Sequence, residues 1–289
     1  MTVGIISKPN KQQLREVVPA LTRWLAERGI SVLLDQETAA SLEGAQAGSP
    51  RAELAERADL VVVLGGDGTL LAAARAIGGR DLPVLAVNLG SLGFLTEVTL
   101  QEMYPALELV LAGRHQVDCR RKLMVEVRRE TESGHCQVIE TYHALNDAVL
   151  NQAAIARIMD LDAFMDGQLV SNFKADGLIV ATATGSTAYS LAAGGPIVLP
   201  AVDAMLLTPI ASHMLTNRPL VVPGNSTIEV VVNSEEESVF LTVDGQVGVK
   251  LNQRDRVLCR LSPHVLRLVR PPGKSYFEVL RNKLHWGHR

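Results

Sequence analysis

Asp59-Leu60-Val61-Val62-Val63-Leu64-Gly65-Gly66-Asp67-Gly68-Thr69-Leu70-Leu71-Ala72-Ala73-Ala74 is the stretch whose reading decides the fold of the first part of this chain. A β-branched apolar run ends in a glycine-rich turn, and the turn opens into Leu70 to Ile77, which has helical spacing. Strand, glycine turn and helix in that order predict a phosphate site. Gly65, Gly66 and Gly68 carry no Cβ and are free to take positive φ, so backbone N–H groups and the positive end of the helix dipole can face an anion. Asp67 needs its own reason. A carboxylate repels phosphate, so an acid in such a turn points to a metal or to a substrate hydroxyl whose proton it accepts. A plain Asp67-Gly68 hairpin turn is the competing reading, and the helical spacing that follows argues against it.

Working outward, short aliphatic strands (Val3 to Ser7, Ile30 to Leu34, Leu60 to Leu64, Pro83 to Val87) alternate with helical stretches such as Lys11 to Arg28 and Gln101 to Ala112. That alternation predicts an α/β, doubly wound parallel sheet over residues 1–118. Gln36 to Arg51, rich in Ala, Gly, Ser and Glu, reads as a flexible surface loop near the active site. From Arg120 the pattern turns to β-prone runs: Lys122 to Arg129, Gln137 to Leu150, Ile155 to Met165, Gln168 to Lys174, Thr227 to Val232, Val239 to Val243 and Arg256 to Leu261. A mostly antiparallel, β-rich domain over 119–274 is expected. The apolar positions Phe277, Leu280 and Leu284 predict a C-terminal helix within 275–289 that packs back on the first domain.

Composition sets the class. The 289 residues are 47% hydrophobic and 20% charged, with a formal net charge of −3, so there is no global basic footprint for nucleic acid or an acidic membrane. No leader and no apolar run of about 18 residues is read, and Cys119, Cys136 and Cys259 lack metal spacing, which together fit a reduced cytoplasm. In the second half, Asp176 to Ser190 reads as a buried strand, a small-residue loop dense in hydroxyls and a helix start that Ser186 or Thr187 would cap, with Gly185 allowing a ligand close approach. Tyr189 reads as a stacking ring or as core. Asn146-Asp147 inside an apolar run suggests ligand contact, with a β-bulge as the alternative.

The ordered set of motifs resembles the NAD kinase family over nearly the whole length. It comprises Gly-Gly-Asp-Gly-Thr at 65–69, Asn-Leu-Gly-Ser-Leu-Gly-Phe-Leu-Thr at 88–96, Asn-Asp at 146–147, the 176–190 run, Thr-Pro-Ile at 208–210, Asn-Arg-Pro-Leu-Val at 217–221 and Asp-Gly-Gln at 244–246. The first motif alone is shared with lipid kinases. The resemblance implies a phosphotransferase that moves the ATP γ-phosphate to the 2′-hydroxyl of the adenosine ribose of NAD. Asp67 then matches the catalytic acid. Gly68, Phe94, Asn146, Asp147, Asp176, Thr187, Ala188, Tyr189, Ser190 and Gln246 match positions about the dinucleotide, and Gly65, Gly66, Gly68 and Thr69 form the phosphate turn. Asp147 stands where the family's pair usually has Glu, and Ala183 where its loop has Pro. No Walker-type lysine follows the glycines, so Lys174 and Arg218 are candidates to neutralise phosphate charge, while His213 reads as structural.

The resemblance further implies Mg2+ or another divalent cation on ATP, inorganic polyphosphate as an alternative donor, a homodimer or homotetramer, and neither nucleic acid nor membrane as partner. No metal ligand is assigned. Two rival readings are a lipid kinase, which would need a membrane-facing patch, and a regulator that binds NAD without turnover, which would have no use for Asp67.

Overall fold

The computed structural model describes residues 1–9, 11–42, 44, 47–131, 134–152, 159–214, 216–234, 239–270 and 273–286. The chain divides into two compact units, Met1–Cys119 with Leu266–Arg289, and Arg120–Val265.

The first unit is a parallel sheet. Its strands run in the order Arg256–Arg270 (through Arg267 and Leu268), Pro83–Asn88, Leu60–Gly65, Thr2–Ser7, Ser31–Leu34, every neighbouring pair parallel. Leu60–Gly65 is buried at all six positions, which is why it reads as an unbroken apolar run and not as an alternation. Helix Leu14–Ala26 buries Leu14, Val18, Leu21 and Leu25, one helical face, against this sheet's core. The chain steps from Thr2–Ser7 outward to Ser31–Leu34, then crosses back to Leu60–Gly65 on the other side. Strand order therefore reverses between the carboxyl ends of Thr2–Ser7 and Leu60–Gly65, the place where open α/β sheets leave a crevice.

The expected loop over Gln36 to Arg51 is replaced by structure at both ends. Gln36–Ala40 is a helix, and Arg51–Arg57 is a second one. Asp35 supplies the missing signal: its carboxylate caps the first helix at the Thr38 N–H (3.0 Å) and receives Arg51 Nε at 2.7 Å. Thr38 Oγ1 accepts the Ser7 N–H and donates to Ser7 Oγ, tying the cap to the end of the first strand. Positions 43, 45 and 46 of that segment lie outside the described residues.

The second unit is built from antiparallel strands. One sheet runs Leu220–Pro223, Ala204–Ile210, Gly177–Thr182, Asp147–Gln152, Val239–Val243, Val247–Leu251. A second series pairs Gln168–Ala175, Met159–Met165, Ile228–Val232 and the start of Arg256–Arg270. Leu123, Val125, Leu150, Leu161, Leu178, Val180, Val230 and Leu241 share one apolar core. Ile228–Val232 alternates buried and half-buried positions, the period of a strand with one face in a core. The run read from Gln137 to Leu150 breaks into Cys136–Ala144 and Asp147–Gln152, with Asn146 at the break. The run read from Ile155 begins at Met159, because 153–158 lie outside the described residues.

Helix Tyr276–Leu284, capped by Ser275, belongs to the first unit. It buries Val279 and Leu280, whereas Phe277 is 52% exposed, so the inward face is not the one that Phe277, Leu280 and Leu284 suggested. Among the described residues no helix is long and apolar enough to cross a membrane.

The Asp35 network yields a stability prediction. Asp35→Ala removes a helix cap and the buried one of the two carboxylates that hold Arg51, so it lowers the unfolding free energy by about 2–4 kcal/mol in urea titrations. A loss below about 0.5 kcal/mol, the usual size of a neutral surface change, would contradict this role.

Candidate active site

The glycine turn sits at the reversal point of the parallel sheet. Helix Asp67–Ile77 begins at Asp67, with Gly66 as its N-cap residue, so no Asp-Gly hairpin forms. Contrary to the sequence reading, none of Gly65, Gly66 and Gly68 takes positive φ. Gly65 is required by close approach, since a Cβ there would strike the Thr69 side chain, and Gly66 has open space where its side chain would stand.

Asp67 holds the neighbouring loop. Its Oδ1 accepts the N–H groups of Leu95 (3.2 Å) and Thr96 (3.0 Å) and the Thr96 hydroxyl (2.9 Å), and its Oδ2 accepts the Phe94 N–H (2.9 Å). Asn88 completes the arrangement from the other side. Its Nδ2 donates to Ser91 O and Thr96 Oγ1, and its Oδ1 accepts the Gly90 N–H. The motif at 88–96 is thereby explained residue by residue: Asn88 and Thr96 are the loop's internal ties, and Gly93 is small because a Cβ there would collide with the Asp67 carboxylate. Phe94 is half-buried beneath the Lys283 ammonium, 5.9 Å from its ring centroid. A carboxylate has about four acceptor positions. Oδ2 receives one of these bonds among the described residues, so it keeps capacity for a further hydroxyl.

A cavity of about 250 Å³ opens beside this turn, lined by Ser7, Lys8, Pro9, Glu37, Arg51, Gly66, Gly68, Thr69 and Ala72. It lies at the carboxyl ends of Thr2–Ser7 and Leu60–Gly65, and the Lys8 N–H bonds to Leu64 O at 2.9 Å, which fixes Lys8 next to the turn. Lys8 and Arg51 were not singled out from sequence, since only the parallel pairing of distant strands brings them to the glycines. Arg51 is also bound to Asp35 and Glu37, both at 2.7 Å.

In the second unit a cavity of about 410 Å³ is lined by Asn146, Asp147, Val149, Asn151, Ala188, Tyr189, Thr242, Asp244 and Gly245. Asn146, Asp147, Ala188 and Tyr189 are thus brought together. Tyr189 is 46% exposed and is not core. Thr187, Ser190 and Gln246 do not line it: Thr187 Oγ1 donates to Thr184 O, the wholly buried Ser190 pairs with Thr208, and Gln246 is exposed. Neither Ser186 nor Thr187 caps the helix Tyr189–Ala192, whose N-cap is Ala188. Ser186 donates to Ala183 O and accepts the Val198 N–H. Gly185 admits the backbone of Asn146, not a ligand, since a Cβ there would meet the Asn146 carbonyl.

Asp244, quoted in the sequence only as part of a motif and given no role there, lines this cavity. With φ of 50° it turns its carboxylate back onto Leu145–Asp147, accepting three consecutive N–H groups at 2.9, 2.8 and 3.2 Å. Its place in the Asp-Gly-Gln motif was the available signal. Burial pushes the Asp147 carboxyl up to about 7, the nearby Asp244 charge adds to the rise, and the Tyr189 N–H opposes it. Asp176 is exposed, with His213 Nε2 at 3.8 Å, and the His213 N–H bonds to Lys174 O, which makes one surface group of these three. Arg218 is exposed and donates to Asn217 O. None of Lys174, Asp176 and Arg218 lines either cavity.

The chain is similar to known proteins along nearly its whole length. Residues 3–115 match the ATP-NAD kinase N-terminal domain model and residues 145–271 the ATP-NAD kinase C-terminal domain model. Over all of this chain and 98% of the relative, it is 54% identical to an NAD kinase of Solibacter usitatus. An NAD kinase of Koribacter versatilis is 50% identical, over 100% of this chain and 99% of the relative. Among solved structures, yeast NADH kinase complexed with NADH superposes with a TM-score of 0.88 at 29% identity, covering 100% of this chain and 89% of that one. An Archaeoglobus fulgidus NAD kinase in complex with ATP shares the fold, with a TM-score of 0.78 at 24% identity over 99% of both chains.

Asp147 carries a pH dependence whose sign is fixed. Its folded-state pKa, about 7, exceeds the ordinary 3.8, so between these values the folded state holds more protons and stability falls as pH rises. Above about 7 both states are ionised and the slope ends. Asp147→Asn flattens that decline in urea midpoints measured across this range, and an unchanged slope would contradict the assignment.

Proposed function

The chain belongs to the NAD kinase family, and on that premise we propose that it moves the γ-phosphate of ATP to the 2′-hydroxyl of the adenosine ribose of NAD, with Asp67 receiving the hydroxyl proton. The chain is an enzyme that makes NADP from NAD. The observation that carries the assignment to these residues is an aspartate held by four hydrogen bonds in a glycine turn at the sheet's reversal point, beside a cavity with Lys8 and Arg51.

Phosphoryl transfer demands positioning and charge neutralisation more than covalent chemistry. Gly66, Gly68 and Thr69 offer a helix N-terminus and open backbone to the donor phosphates, and Lys8 with Arg51 supplies positive charge where no Walker lysine exists. Asp67 Oδ2 orients the acceptor hydroxyl. As the 2′-oxygen bonds to the γ-phosphorus and the bond to the bridging β–γ oxygen breaks, the hydroxyl proton passes to Asp67 and ADP leaves. The ties from Phe94, Leu95 and Thr96 keep the carboxylate from turning away. We assign the second unit's cavity to the dinucleotide, with Asn146, Asp147, Ala188 and Tyr189 as its contacts.

Among the described residues no three His, Cys, Asp or Glu side chains gather to hold a metal. A divalent cation such as Mg2+ carried on the triphosphate would neutralise phosphate charge. Two further readings belong with the assignment. A reducing cytoplasm suits three cysteines that are all free thiols. A homo-oligomer suits the edge strand Leu220–Pro223, which exposes Leu220 and Val221, together with Leu199 and Val202 in the turn before its partner strand.

Asp67→Asn is expected to lower kcat by about 10²–10⁴ with the fold retained, read by NADP formation and circular dichroism. Near wild-type turnover in a folded variant would sink the assignment. Lys8→Ala raises KM for ATP about tenfold and leaves KM for NAD within about twofold. Equal effects on both substrates would remove Lys8 from the donor site.

A further inference from the structure

Lys122 is 2% exposed, on strand Gln116–Glu130, and nothing in the reaction as derived uses it. An ammonium is almost never fully buried unless a partner of opposite charge compensates it. Leu123 faces Ala144 across an antiparallel pair, so Lys122 comes level with Leu145, whose N–H bonds to the Asp244 carboxylate, and the charge of that carboxylate favours the ammonium. Asp244 is 8% exposed and Asp147, beside it, 4% exposed, so two carboxylates with little solvent share one wall of the second unit's cavity. Two like charges in such a place drive one of them to take a proton unless a cation lies near. His143 is a further titratable group close to Lys122; burial and the charges of Lys122 and His264 hold it below its ordinary range, which favours its neutral form.

Asp244 is also the acceptor for the N–H groups of Leu145, Asn146 and Asp147. A protonated Asp244 would lose part of that acceptor strength, and the turn carrying Asn146 and Asp147 would loosen. We propose that Lys122 is a positioning residue for dinucleotide binding: its buried ammonium keeps Asp244 ionised and fixed, and Asp244 in turn sets the Asn146–Asp147 turn that meets the ligand. The inference rests on the reading of this cavity as the dinucleotide site. Burial draws the Lys122 ammonium down to about 8 while the Asp244 charge opposes that fall, so the lysine is charged at neutral pH.

The test uses full-length Lys122→Met, Lys122→Arg, Asp244→Asn and the Lys122→Met/Asp244→Asn pair, with Asn146→Ala as the check on the cavity. Steady-state kinetics with ATP and NAD are measured from about pH 6 to 9. Lys122→Met raises KM for NAD about tenfold at pH 7, leaves KM for ATP within about twofold, and moves the acid limb of kcat/KM for NAD up by about one pH unit. Raising the pH then recovers part of the loss, and Lys122→Arg restores most of it. The double variant costs less than the product of the two single losses. A normal KM for NAD and an unmoved acid limb in Lys122→Met would overturn the proposal, as would fully multiplicative losses. If Lys122→Met does not fold, Lys122→Arg and Asp244→Asn carry the pH comparison, and an acid limb unmoved in Asp244→Asn overturns it equally. An unaltered KM for NAD in Asn146→Ala would instead remove the cavity assignment itself.

Discussion

Four hydrogen bonds to one carboxylate tie the glycine turn of the first unit to the loop beside it. Asp67 collects the N–H groups of Phe94, Leu95 and Thr96 and the Thr96 hydroxyl, and each is a charge-assisted bond of the stronger kind. The consequence reaches in two directions. The loop after strand Pro83–Asn88 takes its shape from Asp67 and Asn88, which explains why Gly93 has no room for a Cβ. The carboxylate itself is immobilised at the start of helix Asp67–Ile77, where the dipole favours negative charge. Its backbone ties keep the Asp67 carboxylate from swinging out of this position.

The second unit solves a similar problem with the same device. Asp244 gathers three successive backbone N–H groups, and the turn so fixed presents Asn146 and Asp147 to a cavity. In both places one aspartate organises a loop through main-chain donors, so the side chains on that loop are positioned without needing packing of their own. The difference lies in surroundings. Asp67 is half-buried, whereas Asp147 and Asp244 are nearly closed off from solvent and are accompanied by a buried lysine.

Much of this was legible in the sequence because it is local. The Gly65-Gly66-Asp67-Gly68-Thr69 turn between an apolar run and a helix needs only a few consecutive residues to be recognised, and the alternating strands and helices of the first unit follow from periodicity. The antiparallel character of the second unit was readable for the same reason. What escaped depends on contacts between distant residues. Lys8 and Arg51 join the glycine turn through parallel pairing of strands far apart in the chain, and Asp244 reaches Asn146 across 98 positions. The helix Gln36–Ala40 hid in an Ala-, Gly- and Ser-rich segment whose decisive feature, the Asp35 cap, lay one residue outside it. The hydroxyl-rich loop at 182–187 misled in another way: its hydroxyls bond to its own carbonyls and to the Leu145 carbonyl, building the loop and not a cap.

The most direct test of the account is the position of the phosphate in the product. Purified protein is incubated with NAD, ATP and Mg2+, and the product is examined by phosphorus NMR beside reduction by an NADP-specific dehydrogenase. The account predicts a single new monoester on the 2′-oxygen of the adenosine ribose and stoichiometric NADP. Binding of NAD with no ester formed, or an ester at another oxygen, would contradict it.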